Sequence, residues 1–99
     1  MGYEIRFGDK FLKNVEKFNP AMRELIFRKV AFLEINPDHP SLRTESLYKG
    51  LWSSSVNMDI RIIWELYEGV ILIVNVGKHD IYRQYKNKRR RKSAFRDNQ

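Results

Sequence analysis

The strongest constraint on the fold is a pair of apolar segments late in the chain, IRIIWEL (60–66) and VILIVNV (70–76). Only three residues, 67–69, separate them, and a connection that short predicts an antiparallel β-hairpin. A three-residue loop with Gly69 in the left-handed conformation pairs Leu66 with Val70. A two-residue loop, Glu68-Gly69, would instead bury Asn75 beside Trp64. We therefore favour the three-residue loop.

This register separates apolar from polar side chains on the predicted hairpin. One face carries eight apolar residues, which suit a core: Ile60, Ile62, Trp64, Leu66, Val70, Leu72, Val74 and Val76. The other face carries Arg61 and Asn75, and His79 follows one pleat beyond Gly77. Because Gly77 has no side chain, we expect open space above it. The register thus predicts a polar patch on a rigid sheet.

The remaining elements are predicted from periodicity and capping residues. YEIRF (3–7) alternates as a strand does, and Asp9 is expected to cap a helix over residues 10–18. Asn19-Pro20 opens a second helix that ends near Ile35. Residues 36–50 are assigned to a loop and LWSSSVNM (51–58) to a strand. The predicted fold class is α+β, with an N-terminal strand and a helical hairpin packed on one face of a small, mainly antiparallel β-sheet.

Composition limits the classes of function. A chain of 99 residues predicts a single domain, here residues 1–83. The absence of cysteine excludes disulfides, thiolate metal sites and cysteine nucleophiles. No signal peptide or apolar membrane span is visible, so a cytoplasmic protein with no membrane partner is expected.

The basic charge is concentrated at the end of the chain. Eight of the 19 Lys and Arg residues, but only one of the 12 acidic residues, lie between Arg83 and Gln99, so this segment accounts for the net charge of +7. Residues 84–99 are therefore predicted to be a basic tail, partly disordered or helical. The run KNKRRRK can be a solvated segment, a nucleic-acid contact or a dock for an acidic partner protein.

Four residues near the polar face carry groups suited to cutting RNA without a metal: Arg61, His79, Tyr82 and Glu45. An arginine can bind phosphate oxygens, and a histidine can transfer a proton near neutral pH. The phenol of Tyr82 also offers a stacking surface, and Glu45 is a loop carboxylate that can act as a base. Metal-free cleavage of RNA needs such a base, an acid and cations.

Structural roles for the same residues remain open. Arg61 can pair with Glu65 or Asp59, and His79-Asp80 can be an ordinary surface pair at the end of a strand. The two histidines and their neighbouring aspartates do not have the spacing of a metal site, so neither metal nor cofactor is expected.

Three motifs in order, HPSL…L.KG.W, D.R..W and VG.HD.Y, resemble the RelE/ParE toxin superfamily of bacterial toxin–antitoxin systems. The resemblance covers the chain through Arg83. It implies a RelE-like fold and, in the RelE branch, a toxin that cuts mRNA on the ribosome without metal. It also implies a cognate antitoxin as partner.

The resemblance assigns roles to particular residues. Arg61 matches the arginine that contacts the scissile phosphate, His79 the residue for proton transfer and Tyr82 the tyrosine that orients mRNA. Glu45 lies near the glutamate that serves as base in some members. The residues expected to bind the RNA substrate are Lys49, Arg43, Asn75, Lys78 and Arg83.

Two features differ from the RelE branch. Ser53, Ser54 and Ser55 stand where many members have a basic residue, and residues 1–82 are neutral. The ParE branch, which shares the fold and inhibits DNA gyrase, is the main alternative. An inactive relative that binds RNA or protein is the other. The base for cleavage is left open among Glu45, Asp80 and His79.

Overall fold

The computed structural model describes residues 2–48 and 50–86, which form one mixed five-stranded sheet with a pair of helices on one face. The strands and helices, in chain order, are β1 Glu4–Phe7, α1 Asp9–Val15, α2 Pro20–Ile35, β2 Glu45–Tyr48, β3 Leu51–Ser55, β4 Ile60–Tyr67, β5 Val70–Lys78 and α3 Arg83–Lys86. Short 3-10 turns span Pro40–Leu42 and His79–Tyr82. The strand order is β1-β5-β4-β3-β2, with β1 parallel to β5 and the other neighbours antiparallel. The predicted α+β fold is confirmed.

The N-terminal caps of α1 and α2 can be compared with the predicted ones. Asn19 caps α2 as predicted, because its side chain accepts a hydrogen bond of 2.8 Å from the backbone N–H of Met22. Asp9 does not cap α1: Gly8 is the capping residue, and Asp9 lies in the first turn. In the described part of the chain, no helix is long and apolar enough to cross a membrane.

The predicted loop of residues 36–50 contains an element that the sequence did not reveal. Residues 45–48 form the edge strand β2, paired with β3 through Glu45 opposite Ser53. The pairing shifts between Ser46 and Tyr48, so β2 is irregular as well as short. Its sequence, ESLY, is too short and too polar to indicate a strand by alternation.

The predicted register of the β4–β5 hairpin is wrong. Tyr67 pairs with Val70, which leaves a two-residue turn formed by Glu68 and Gly69. Both turn residues have positive φ, 47° and 80°, as a type I′ turn requires. The backbone of this turn matches the right-handed twist of the two strands. To form it, Glu68 adopts the left-handed conformation, which is unfavourable for residues other than glycine.

An extra residue in β5 reverses the side-chain alternation of that strand, so that the residues beyond it do not point to the faces that the two-residue turn alone would give them. Trp64 pairs with Ile73, yet Ile63 pairs with Asn75, so Val74 is an insertion in the ladder. Beyond it Arg61 pairs with Gly77, not with Asn75 as the predicted register required. Arg61 and Asn75 therefore share a face of the sheet, as predicted. The residue of β5 that pairs with Arg61, however, lies two positions further along the strand than predicted.

The sheet buries apolar residues on both faces. The helix-side core includes Ile62, Trp64, Ile71, Ile73 and Val76 of the hairpin. A second cluster on the opposite face contains Leu51, Ile63, Leu72, Val74, Ile81 and Tyr85. Leu72 and Val74 thus lie on the face opposite to the predicted one. The prediction of one apolar and one polar face fails because the segment after β5 folds back over the second face.

The space above Gly77 is occupied by Ile81. A Cβ atom on Gly77 would lie 2.6 Å from Cδ1 of Ile81, which is itself buried at 6% exposure. The glycine therefore permits the turn His79–Tyr82 to pack against the sheet. This contact sets where His79 and Tyr82 stand at the end of β5.

We expect Gly77→Ala to destabilise the protein by about 1–3 kcal/mol, because the added methyl group overpacks against Ile81. In a domain of this size each kcal/mol lowers the melting temperature by about 4–8 °C. The same substitution in an Ile81→Ala background should cost much less. Thermal unfolding of the four proteins of this double-mutant cycle measures the coupling. Additive effects of the two substitutions would contradict the contact.

Candidate active site

The candidate site is built around Arg61, which β4 presents on the second face of the sheet. Its side chain is 10% exposed. Nε donates a hydrogen bond of 2.5 Å to the hydroxyl of Ser53. Nη2 donates to the backbone carbonyls of Ser53 and Arg43, each at 3.2 Å. The guanidinium is thus fixed in one orientation, directed from β4 across β3 towards the segment before β2.

The oxygens that hold Arg61 are electrically neutral. The carboxylate within 4 Å of its guanidinium, among the residues described, is that of Glu45, with Oε2 3.8 Å from Nη2. Glu45 is 65% exposed, and 3.8 Å is longer than a direct hydrogen bond. Neither Glu65 nor Asp59 forms an ion pair with Arg61 in the described structure. Arg61 therefore keeps much of its positive charge for another ligand.

Arg43 contributes its backbone to this site in an unusual conformation. It lies at the end of the turn Pro40–Leu42 with φ 45° and ψ 52°, in the left-handed region that disfavours residues other than glycine. That conformation directs its carbonyl oxygen at Arg61. Its side chain is exposed, as a substrate-binding role requires.

The three serines of β3 are buried and each bonds to a different neighbour. Ser53 holds Arg61, Ser54 contacts the hydroxyl of Thr44 and the indole N–H of Trp64, and Ser55 donates to the carbonyl of Asn57. Sequence reasoning assigned these serines no role beyond the absence of a basic residue. The contacts of Ser53 with Arg61 and of Ser54 with Trp64 depend on the pairing of β3 with β4, for which the sequence carries no local signal.

His79, Tyr82 and Arg83 form a second group at the end of β5. His79 is exposed, and its ring meets that of Tyr82 edge-on with centroids 5.9 Å apart. A hydrogen bond with the side chain of Tyr82, together with the charge of Tyr82, raises the pKa of the exposed Arg83 guanidinium above its ordinary value. Tyr82 also packs against the apolar cluster on the face that carries Arg61.

The predicted site residues therefore fall into two groups. Arg61, Arg43 and Glu45 meet on the β2 side of the sheet, where Arg61 bonds to Ser53. His79, Tyr82 and Arg83 lie beyond β5. Tyr82 packs on the second face of the sheet, the same face that carries Arg61. Lys49, predicted to bind substrate, lies outside the described residues, as do residues 87–99 of the predicted tail.

A cavity of about 590 Å³ opens beside His79. It is lined by Met22, Asn57, Asp59, Ile60, Lys78, His79 and Asp80. The exposed Lys78 stands at its edge and also borders a neighbouring cavity near α1. The cavity thus combines a cation and an imidazole with the carboxylates of Asp59 and Asp80, so that its lining carries charge of both signs.

Asn75, predicted to bind substrate, has its polar atoms engaged inside the protein. It is 4% exposed. Its Oδ1 accepts hydrogen bonds from Nδ2 of Asn14 and the N–H of Val76, and its Nδ2 donates to the hydroxyl of Tyr85. A ligand would have to replace one of these bonds to reach it. The hydrogen bonds of Asn75 thus link its own strand, β5, to α1 through Asn14 and to α3 through Tyr85.

We expect Asn75→Ala to lower the free energy of unfolding by about 1–3 kcal/mol, because buried partners lose their hydrogen bonds. Asn14→Ala is the control and should cost less, since Val76 still donates to Asn75 and Asn14 is only half-buried. Chemical denaturation measures both. Weaker RNA binding by Asn75→Ala with no loss of stability would instead support direct contact with substrate.

Neither the family models nor the curated proteins contain a match to this chain. Solved structures do resemble it. The archaeal RelE–RelB complex from Pyrococcus horikoshii OT3 contains a chain that matches with a TM-score of 0.70 and 17% identity, over 82% of this chain and 99% of that one.

Two bacterial structures agree with that likeness. A YoeB/ParE toxin from Agrobacterium tumefaciens matches with a TM-score of 0.67 and 14% identity, over 77% of this chain and 98% of the toxin. The DinJ–YafQ toxin–antitoxin complex of E. coli contains a chain that matches at 0.63 and 17%, over 80% of this chain and 94% of that one. The chain therefore has the fold that these RelE, YoeB/ParE and YafQ structures share.

Proposed function

We propose that this protein is the toxin of a type II toxin–antitoxin system and a metal-free endoribonuclease that cleaves mRNA on the ribosome. The shared fold supports a toxin. The chemistry of the candidate site supports cleavage of a phosphodiester rather than inhibition of gyrase. The two arguments are independent, because the first concerns the backbone and the second the side chains.

The observation that carries the nuclease proposal is the environment of Arg61. A buried arginine with a purely structural role is normally neutralised by a close carboxylate, because burying an uncompensated charge is costly. Here the close acceptors are a hydroxyl and two backbone carbonyls, and among the described residues the nearest carboxylate, that of Glu45, is 3.8 Å away and largely exposed. A fixed cation of this kind is suited to a phosphate whose charge grows in the transition state.

Exposed side chains of the two groups, Glu45 beside Arg61 and His79 beyond β5, are proposed to supply the proton transfers. In the proposed reaction Glu45 removes the proton of the RNA 2′-hydroxyl, and the 2′-oxygen attacks the adjacent phosphorus. The bond from phosphorus to the 5′-oxygen breaks, and His79 donates a proton to that oxygen. The products are a 2′,3′-cyclic phosphate and a 5′-hydroxyl. Arg61 balances the negative charge on the phosphorane.

Other exposed cations are proposed to bind the RNA backbone. Arg43, Lys78 and Arg83 are exposed at the two groups, and Lys49 is included on sequence grounds. A net charge of +7 favours binding to polyanions, and this binding should weaken as salt is added. The proposed protein partner is a cognate antitoxin, by analogy with the RelE–RelB and DinJ–YafQ complexes.

Induced expression of the wild type should arrest growth and create new mRNA ends inside reading frames. We expect His79→Ala and Arg61→Lys each to lower cleavage by about 10²–10⁴-fold, the usual contribution of a positioned proton donor or charge-stabilising group. Primer extension on a translated mRNA from the same cells measures the ends. His39→Ala is the matched control, because His39 accepts hydrogen bonds within the turn before β2 and lies outside the proposed machinery.

Arrest with intact mRNA, unchanged in His79→Ala, would contradict the nuclease proposal. It would favour gyrase as the target, which assays of DNA supercoiling can test. Loss of folding in Arg61→Lys is checked separately by circular dichroism, so that a structural loss is not read as a catalytic one.

Tyr82 is proposed to orient RNA through its ring. We therefore expect Tyr82→Phe to retain most cleavage activity and Tyr82→Ala to lose at least about tenfold, since stacking of a base on an aromatic ring contributes about 1–3 kcal/mol. Single-turnover cleavage of a defined RNA on purified ribosomes compares the two variants. Equal losses would show that the hydroxyl, which contacts Arg83, matters more than the ring.

A further inference from the structure

We propose that Ser53 and Arg43 are positioning residues that act through Arg61, and that Arg43 does so with its backbone carbonyl. The inference rests on the proposed function, because it assigns Arg61 to the scissile phosphate. It adds two residues that the sequence placed elsewhere: Ser53 as a missing cation and Arg43 only as a substrate contact.

Ser53 contacts Arg61 at two points. Its hydroxyl accepts from Nε and its carbonyl from Nη2. Ser53 is 0% exposed, so water cannot readily replace the hydroxyl if it is removed. Arg61 pairs with Ser55 on the neighbouring strand, so its side chain must extend diagonally across β3 to reach Ser53. Without the hydroxyl, Nε has lost the acceptor that fixes this diagonal orientation.

Arg43 supplies the third acceptor from outside the sheet. Its carbonyl is aimed at Nη2 by a left-handed backbone at φ 45°, a conformation that costs free energy for any residue with a Cβ. A glycine would take this conformation more easily. The carbonyl of Arg43 can therefore hold Arg61 independently of the Arg43 side chain, provided that the backbone keeps this conformation.

Together these acceptors occupy Nε and Nη2. In the part of the chain that the structure describes, no residue accepts a hydrogen bond from Nη1. Nη1 is therefore the edge of the guanidinium that a phosphate oxygen would meet. Tilting the guanidinium would misplace that edge and lower the rate of the chemical step more than the affinity for RNA.

Two pairs of variants test the inference. Ser53→Ala removes the hydroxyl from Arg61, whereas Ser54→Ala removes an equally buried hydroxyl that bonds to Trp64 and Thr44 instead. Arg43→Val and Arg43→Gly both remove the arginine side chain. Valine disfavours the left-handed backbone and glycine favours it.

We expect Ser53→Ala to lower kcat about tenfold with little change in KM, whereas Ser54→Ala changes kcat by less than about twofold. Arg43→Val and Arg43→Gly should raise KM to the same extent, because both lose the cation, but Arg43→Val should lower kcat about tenfold further than Arg43→Gly does. Single-turnover cleavage at saturating ribosome-bound mRNA separates the two constants. Thermal unfolding checks that each variant is folded.

A second readout does not depend on activity. In the wild type, the NMR signal of the Arg61 Nε–H, identified by its loss in Arg61→Lys, should exchange with solvent more slowly than that of the exposed Arg28. Ser53→Ala should speed this exchange about tenfold, and Ser54→Ala should not. Unchanged exchange, or unchanged kcat in Ser53→Ala of an active enzyme, would overturn the inference alone. Slow exchange in a wild type that cleaves no RNA would overturn the proposed function and the inference with it.

Discussion

The architecture depends on one additional residue, Val74, in the central hairpin. The two-residue turn at Glu68-Gly69 sets a pairing that, if it ran to the end of the strands, would place Asn75 opposite Ile62 on the helix side and Val76 opposite Arg61 on the second face. The insertion returns Val76 to the helix-side core and Asn75 to the face that carries Arg61. The apolar residues near the turn can then serve two cores, one on each face. The side chains of β4 are therefore distributed between the two faces by regular alternation, and those at the end of β5 by a local irregularity.

The second face combines apolar burial with a retained charge. Ile81, Tyr82 and Tyr85 cover its apolar half, which allows Leu72 and Val74 to point away from the helices. The other half carries Arg61 on neutral oxygens. An internal ion pair would have satisfied the guanidinium at the cost of its net charge. Ser53 accepts hydrogen bonds from the guanidinium without neutralising its charge, while Ser54 and Ser55 of the same strand bond to other neighbours.

The sequence predicted what depends on local chemistry and missed what depends on pairing between strands. Asn19-Pro20 was sufficient to place the start of α2, and the apolar runs placed β4 and β5. The register failed because nothing in VILIVNV marks Val74 as an insertion, and because the apolar second face required knowledge of how residues 79–86 fold back. The face of the sheet on which Arg61 and Asn75 lie together was predicted. The partners of Arg61 were not, since β2 is too short to predict and Ser53 meets Arg61 only through the sheet.

The irregular pairing of β2 has a consequence for how this protein behaves in a crowded solution. An edge strand with a regular, unpaired ladder is a template on which another chain can extend the sheet. Here β2 is four residues long, its register shifts between Ser46 and Tyr48, and Glu45 and Ser46 are exposed. The opposite edge, β1, is equally short and carries the charged pair Glu4 and Arg6. Both edges of the folded sheet thus disfavour the addition of a strand from another chain.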